Sequence, residues 1–150
     1  MHTLIYAVAA LMFAVPAPAQ SLTTGCGNEQ MALEVLEVFS PRFTSADSEY
    51  ASYRQKNALN SVDGSEPQAA VRDAAVCEQL EAIVEAELRA TSWGYWGAAR
   101  WESAYARIGP YYLVYIEERM PDGVIGSAWL TFLIDAVTFA LVPTPYECNC

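Results

Sequence analysis

The chain has 150 residues, with 18 acidic against 8 basic side chains and a formal net charge of −10. No basic run exists to neutralise phosphates, which excludes nucleic acid as a partner and an anionic lipid surface with it. The single histidine, His2, lies in a segment expected to be removed. That excludes Ser-His-Asp and Cys-His nucleophile pairs, and the usual imidazole-ligated zinc and iron sites, from the mature protein.

Residues 1–19 read as a signal peptide. Leu4 to Val15 is an apolar run of the right length, and Ala17-Pro18-Ala19 is a small-x-small cleavage site. Cleavage would leave Gln20 first, and residues 20–150 are then one domain-sized unit of about 130 residues. The alternatives are a retained membrane anchor or, less in keeping with Thr23 and the position of Cys26, a lipoprotein. The expected location is secreted or periplasmic.

The first predicted helix runs from Asn28 to Phe39. Met31, Val35, Val38 and Phe39 form its apolar stripe, Asn28 caps it and Ser40-Pro41 ends it. Ser45 to Leu59 holds a helical piece carrying Tyr50, Tyr53 and Leu59. Ser61 to Pro67 reads as turn and loop. Asp73 to Ala90 is the clearest helix: Cys77, Leu80, Val84 and Leu88 share one face, while Glu78, Glu81 and Glu85 lie opposite. Asp73 suits its N-cap, and Gly94 suits a left-handed residue past its end.

Residues 92–101 concentrate three of the four tryptophans in a glycine-containing stretch. Trp93, Tyr95, Trp96 and Trp101 read either as a binding platform for sugar or peptide or as an auxiliary core. The character then turns extended. Ser103 to Ile108, Tyr111 to Glu118, Ala128 to Ile134 and Val137 to Val142 read as a four-stranded antiparallel meander, with Tyr112, Val114 and Ile116 as one row. Val124 to Val142 has a single charge over 19 residues and is nearly long enough to span a membrane. Asp135 near its centre would cost about 3 kcal/mol on insertion. Its Val, Ile, Trp, Phe and Thr content favours two strands bending at Asp135. The expected fold is therefore α+β: the meander with the Asp73–Ala90 helix across one face and the shorter N-terminal helix beside it.

Val71-Arg-Asp-Ala-Ala-Val-Cys77, preceded by Arg54 and the Leu59 to Val62 segment, resembles a motif of short exported bacterial proteins of uncharacterised function. In those a Val-x-Asp-x-x-Val-Cys helix start precedes a Tyr/Val-rich meander. Leu133-Ile134-Asp135 and Thr138-Phe139 are similar to their ending. The resemblance spans roughly residues 54–142 and implies a helix packed on a sheet, with no activity.

Four cysteines in an exported chain point to disulfides and allow three pairings. The expectation is a tail stapled to the body, with Cys148 and Cys150 paired to Cys77 and Cys26. The alternative joins Cys26 to Cys77 and closes a tight Cys148–Cys150 ring. No cofactor and no metal site is expected. Two-carboxylate glycan hydrolysis survives the exclusions. Glu117 and Glu118 point to opposite faces of one strand and cannot be that pair, whereas either with Asp135 is conceivable. The reading is a small exported, non-catalytic and monomeric domain. It binds an unknown protein, peptide or glycan, without nucleic acid or stable membrane insertion. A glycan hydrolase and a ligand-free accessory protein are the alternatives.

Overall fold

A computed structural model describes residues 26–90, 100–119 and 125–143. Residues 1–19, expected to be a signal peptide, the Trp93–Tyr95–Trp96 stretch, Gly94 and the tail cysteines Cys148 and Cys150 lie outside these residues. Three helices, α1 (Glu29–Thr44), α2 (Ser48–Lys56) and α3 (Ala74–Ala90), accompany β1 (Gln68–Ala70), β2 (Arg100–Ile108), β3 (Tyr111–Arg119) and β4 (Ile125–Asp135). The fold is α+β, and the four strands form one antiparallel sheet in chain order.

One strand is added to the expected sheet and another is corrected. Gln68–Ala70, given no element from sequence, is the first strand, paired with Ala106–Ile108. Its three small or polar residues carry no alternation long enough to recognise. Val137–Val142, read as the last strand, is instead a tight turn and a short return arm. The Asp135 carboxylate accepts from the backbone N–H of Val137 (2.9 Å) and Thr138 (2.8 Å) and from the Thr138 hydroxyl (3.0 Å), which folds the chain back at once. Phe139 then sits at φ 56°, its ring against Tyr112. Val142 N–H reaches Leu133 O, Leu141 bridges Ile134, and Pro143 follows without a donor.

Hydrogen bonds from the turn hold the Asp135 carboxyl below the usual carboxylate range, the Thr138 N–H most strongly. A depressed folded value stabilises the protein above the unfolded value, and that contribution is lost as pH falls through the folded one. Stability is thus expected to fall on acidification below about pH 4. Asp135→Asn, which keeps an acceptor for the turn, should flatten that acid limb in urea titrations at pH 3 to 7. An unchanged acid limb would count against the role of this turn.

Alternation along the strands divides two cores. On one face Ala104, Ala106, Ile108, Tyr111, Leu113 and Leu133 pack with Met31, Ala32, Val35, Leu36, Phe39 and Phe43 of α1. On the other, Tyr105, Tyr112, Val114, Ile116, Leu130, Phe132 and Ile134 pack with Cys77, Leu80 and Val84 of α3. The helices therefore lie on opposite faces, not side by side. The physical reason is legible in β3: Tyr111 to Ile116 is apolar in both phases, as a strand covered on both faces must be. Leu80, Ile134 and Val114 have no exposed surface. Each fully buried side chain of this kind contributes roughly 1.5–3 kcal/mol.

Helix α1 begins as expected, with Asn28 Oδ1 accepting from Met31 N–H at 2.9 Å. It does not stop at Pro41. Phe43, two residues further, is buried against Tyr111, and Ser45 N–H closes on Pro41 O. Val38, assigned to the apolar stripe, is 63% exposed; Leu36 is buried instead. The Asp73 carboxylate caps α3 through the N–H groups of Ala75 and Val76, and Arg89 pairs with Glu85.

The expected tail staple is corrected as well. Cys26 is bonded to Cys77, with Cα atoms 5.5 Å apart, so neither is left for Cys148 or Cys150. The reason is Gly27. It adopts φ +62° and bridges Ala104, while Asn28 N–H donates to Ser103 O at 2.9 Å. This extends the cover of the β2 edge beyond β1 and brings Cys26 to the start of α3. A Cβ at Gly27 would run into the Ser103 carbonyl, so only glycine makes this approach.

Candidate functional site

Small residues on β2 bring α1 close. Ala104 and Ala106 face the helix, and α1 contacts β2 and β1. The next two strands carry large rings on that face at one end, where Tyr115 and Trp129 stand half-buried. Between the flank of α1 and these rings lies a cleft of about 500 Å³. Gln30, Glu34 and Val38 line it at a spacing of four, and Met31, Val35, Phe39 and Arg42 lie deeper or further along. Asn28 closes the helix end, and Tyr115, Glu117 and Trp129 complete the lining from the sheet.

The rings are mutually ordered. Tyr115 and Trp129 stack with centroids 6.1 Å apart, and Phe39 meets Tyr115 edge-on at 6.5 Å. The Arg42 guanidinium carbon sits 4.4 Å from the Phe39 centroid, within cation–π range. Glu117 is 6% exposed and accepts from the Tyr115 hydroxyl at 3.2 Å. The β3–β4 register shifts just after it, between Glu117 and Arg119. Such irregularities recur beside sites because they re-aim side chains.

Across the sheet Glu117 is paired with Glu102 on β2 and with Trp129 on β4. Like charges directly opposite repel. The Glu102 carboxylate accepts from the Asn28 side-chain amide at the head of α1.

Asp135 does not join them. It pairs with Tyr111, six residues along β3 from Glu117, which is about 20 Å of strand. The conceivable Glu117–Asp135 or Glu118–Asp135 pair is therefore ruled out, and Asp135 belongs to its turn. Among the residues singled out from sequence for binding, Trp93, Tyr95 and Trp96 lie outside the described residues. The Trp101 backbone belongs to β2 and pairs with Glu118. Sequence reasoning missed the cleft residues Phe39, Arg42, Tyr115, Glu117 and Trp129 as a group. The available signal was Glu117 itself, an acid continuing the Tyr111, Leu113, Tyr115 row.

Among the described residues, no three His, Cys, Asp or Glu side chains are placed to hold a metal ion. No described helix is long and apolar enough to cross a membrane. Compared with protein-family models, curated proteins and solved structures, the chain matches none.

Proposed function

We propose that the protein is a small exported binding domain whose ligand site is the cleft between α1 and the Tyr115–Glu117–Trp129 end of the sheet. The observation that carries this reading is a concave, aromatic-lined space with a buried carboxylate on its sheet side. Ligand sites combine apolar walls with a few fixed polar groups in this way. The Cys26–Cys77 bond suits the oxidising compartment that the leader-like residues 1–19 imply.

The test is an amide-resolved NMR screen of the secreted protein against mixed small peptides and oligosaccharides. Shifts are expected to cluster on Gln30, Glu34, Val38, Tyr115, Glu117 and Trp129. Shifts confined to the outer face of α3 or to the Asp135 turn would refute the assignment.

A second reading, glycan hydrolysis, draws on the pairing of Glu102 with Glu117. Retaining glycosidases place two carboxyls about 5 Å apart. Binding is favoured because Glu102 does not line the cleft and its carboxylate is engaged at the head of α1. Release of reducing sugar by the wild type, abolished in both Glu102→Gln and Glu117→Gln, would reverse that preference.

A further inference from the structure

We infer that this cleft recognises its ligand through a compact, uncharged apolar group, aliphatic or aromatic, of the kind that leucine and phenylalanine side chains bear. The inference rests on the cleft being the binding site and names the chemistry it selects.

The apolar lining is contiguous. Met31, Val35 and Phe39 are buried on α1, and Val38 on the same helix is 63% exposed. A single exposed valine is ordinary on a protein surface. This one shares a concave space with the half-buried, stacked rings of Tyr115 and Trp129. A joined apolar surface of this kind marks a place where another group is covered. Burying apolar area from both partners is the driving force such a wall offers.

The described polar side chains of the lining are engaged within the protein. Asn28 accepts from Met31 N–H and donates to Glu102. Gln30 donates to Glu34 at 3.1 Å. The Arg42 guanidinium lies over Phe39, and Glu117 accepts from the Tyr115 hydroxyl. A ligand that drew on these groups would first break or share existing bonds, so each exchange adds little. A sugar brings many hydroxyls and loses their hydration where new partners are few. An apolar group needs no such partner. It gains from Val38 and the rings directly.

Four uncharged probes test this on the full secreted chain, each titrated by NMR: Nα-acetyl-phenylalanine amide, Nα-acetyl-alanine amide, benzyl alcohol and cellobiose. Each methylene buried raises affinity about four-fold. The phenylalanine probe is therefore expected to bind at the cleft at least about ten-fold more tightly than the alanine probe. That preference should not weaken as salt is raised, because no ion pair carries it. Benzyl alcohol presents the same ring without a peptide. Tighter binding of the phenylalanine probe assigns the group to a peptide, and equal binding assigns it to a free small molecule. Val38→Thr exchanges one methyl for a hydroxyl at an exposed position and should weaken the phenylalanine probe about four-fold, with the thermal midpoint unchanged. Equal affinity for the phenylalanine and alanine probes, an unaltered affinity in Val38→Thr, or tighter binding of cellobiose would overturn the apolar preference and leave the cleft as a site. Failure of all four probes to shift any cleft residue would overturn the cleft reading itself.

Discussion

Replacing Cys26 and Cys77 together by alanine is expected to lower the free energy of unfolding by about 4 kcal/mol. The bond joins residues 51 apart in sequence. Without it, the unfolded chain regains the freedom of a loop containing α1, α2 and β1. Both cysteines are buried, at 4% and 8% exposure, in the core beneath α3. Alanine is chosen because serine would place hydroxyls in that apolar setting and add a separate cost. Small domains are stable by only about 5–15 kcal/mol, so the loss is a large part of the total. Urea unfolding of the wild type, the double variant and the reduced wild type provides the measurement. Both disulfide-free forms should unfold at markedly lower urea, and a change below about 1 kcal/mol would contradict the chain-entropy account.

Arg54→Met is expected to cost roughly 3 kcal/mol. Arg54 is 8% exposed on α2, and its guanidinium donates to Arg42 O at 2.7 Å and Ser45 O at 2.8 Å. These carbonyls belong to the end of α1, where no further helical N–H follows. Charge-assisted bonds to such groups contribute about 1.5–3 kcal/mol each, and methionine leaves the carbonyls without these donors. Arg54→Lys should recover only part of the loss, since one ammonium does not reproduce the fork that spans two acceptors. The effect should reach the site as well. The last two turns of α1 carry Phe39 and Arg42, both lining the cleft. Thermal unfolding measures the first effect and probe affinity the second. A variant as stable as the wild type would show that the end of α1 does not depend on this residue.

Helices were the most legible part of the sequence. Asp73 and Asn28 are caps whose side-chain geometry acts within three residues, so their roles survive without tertiary knowledge. The Cys77, Leu80, Val84 face was equally clear, since all three are buried. The paired strands β2 and β3 announced themselves through Gly109-Pro110 and an aromatic, β-branched run. Gly109 takes φ +53° at the turn, where glycine is needed.

What was not legible depended on contacts distant in sequence. Pro41 stops a helix only when nothing beyond it is worth burying, and Phe43 against Tyr111 decides otherwise. The pairing of Cys26 follows from Gly27 seated on β2, some 77 residues away in the register. Asp135 looked like a catalytic candidate because sequence does not measure the length of β3 between it and Glu117. The cleft is harder still. Arg42 and Phe39 come from α1, Tyr115 and Glu117 from β3, and Trp129 from β4. Only the small Ala104 and Ala106, which draw α1 down beside the rings, bring them together.

The central claim is that the cleft, rather than the tryptophan-rich stretch before β2, carries binding. The most direct measurement probes one array of peptides and glycans with the wild type, Trp129→Ala, and the double variant Trp93→Ala/Trp96→Ala, each first shown by circular dichroism to retain the wild-type spectrum. The account expects the wild-type signals to disappear with Trp129→Ala and to persist in the double variant. Signals that persist in Trp129→Ala and vanish in the double variant would contradict it.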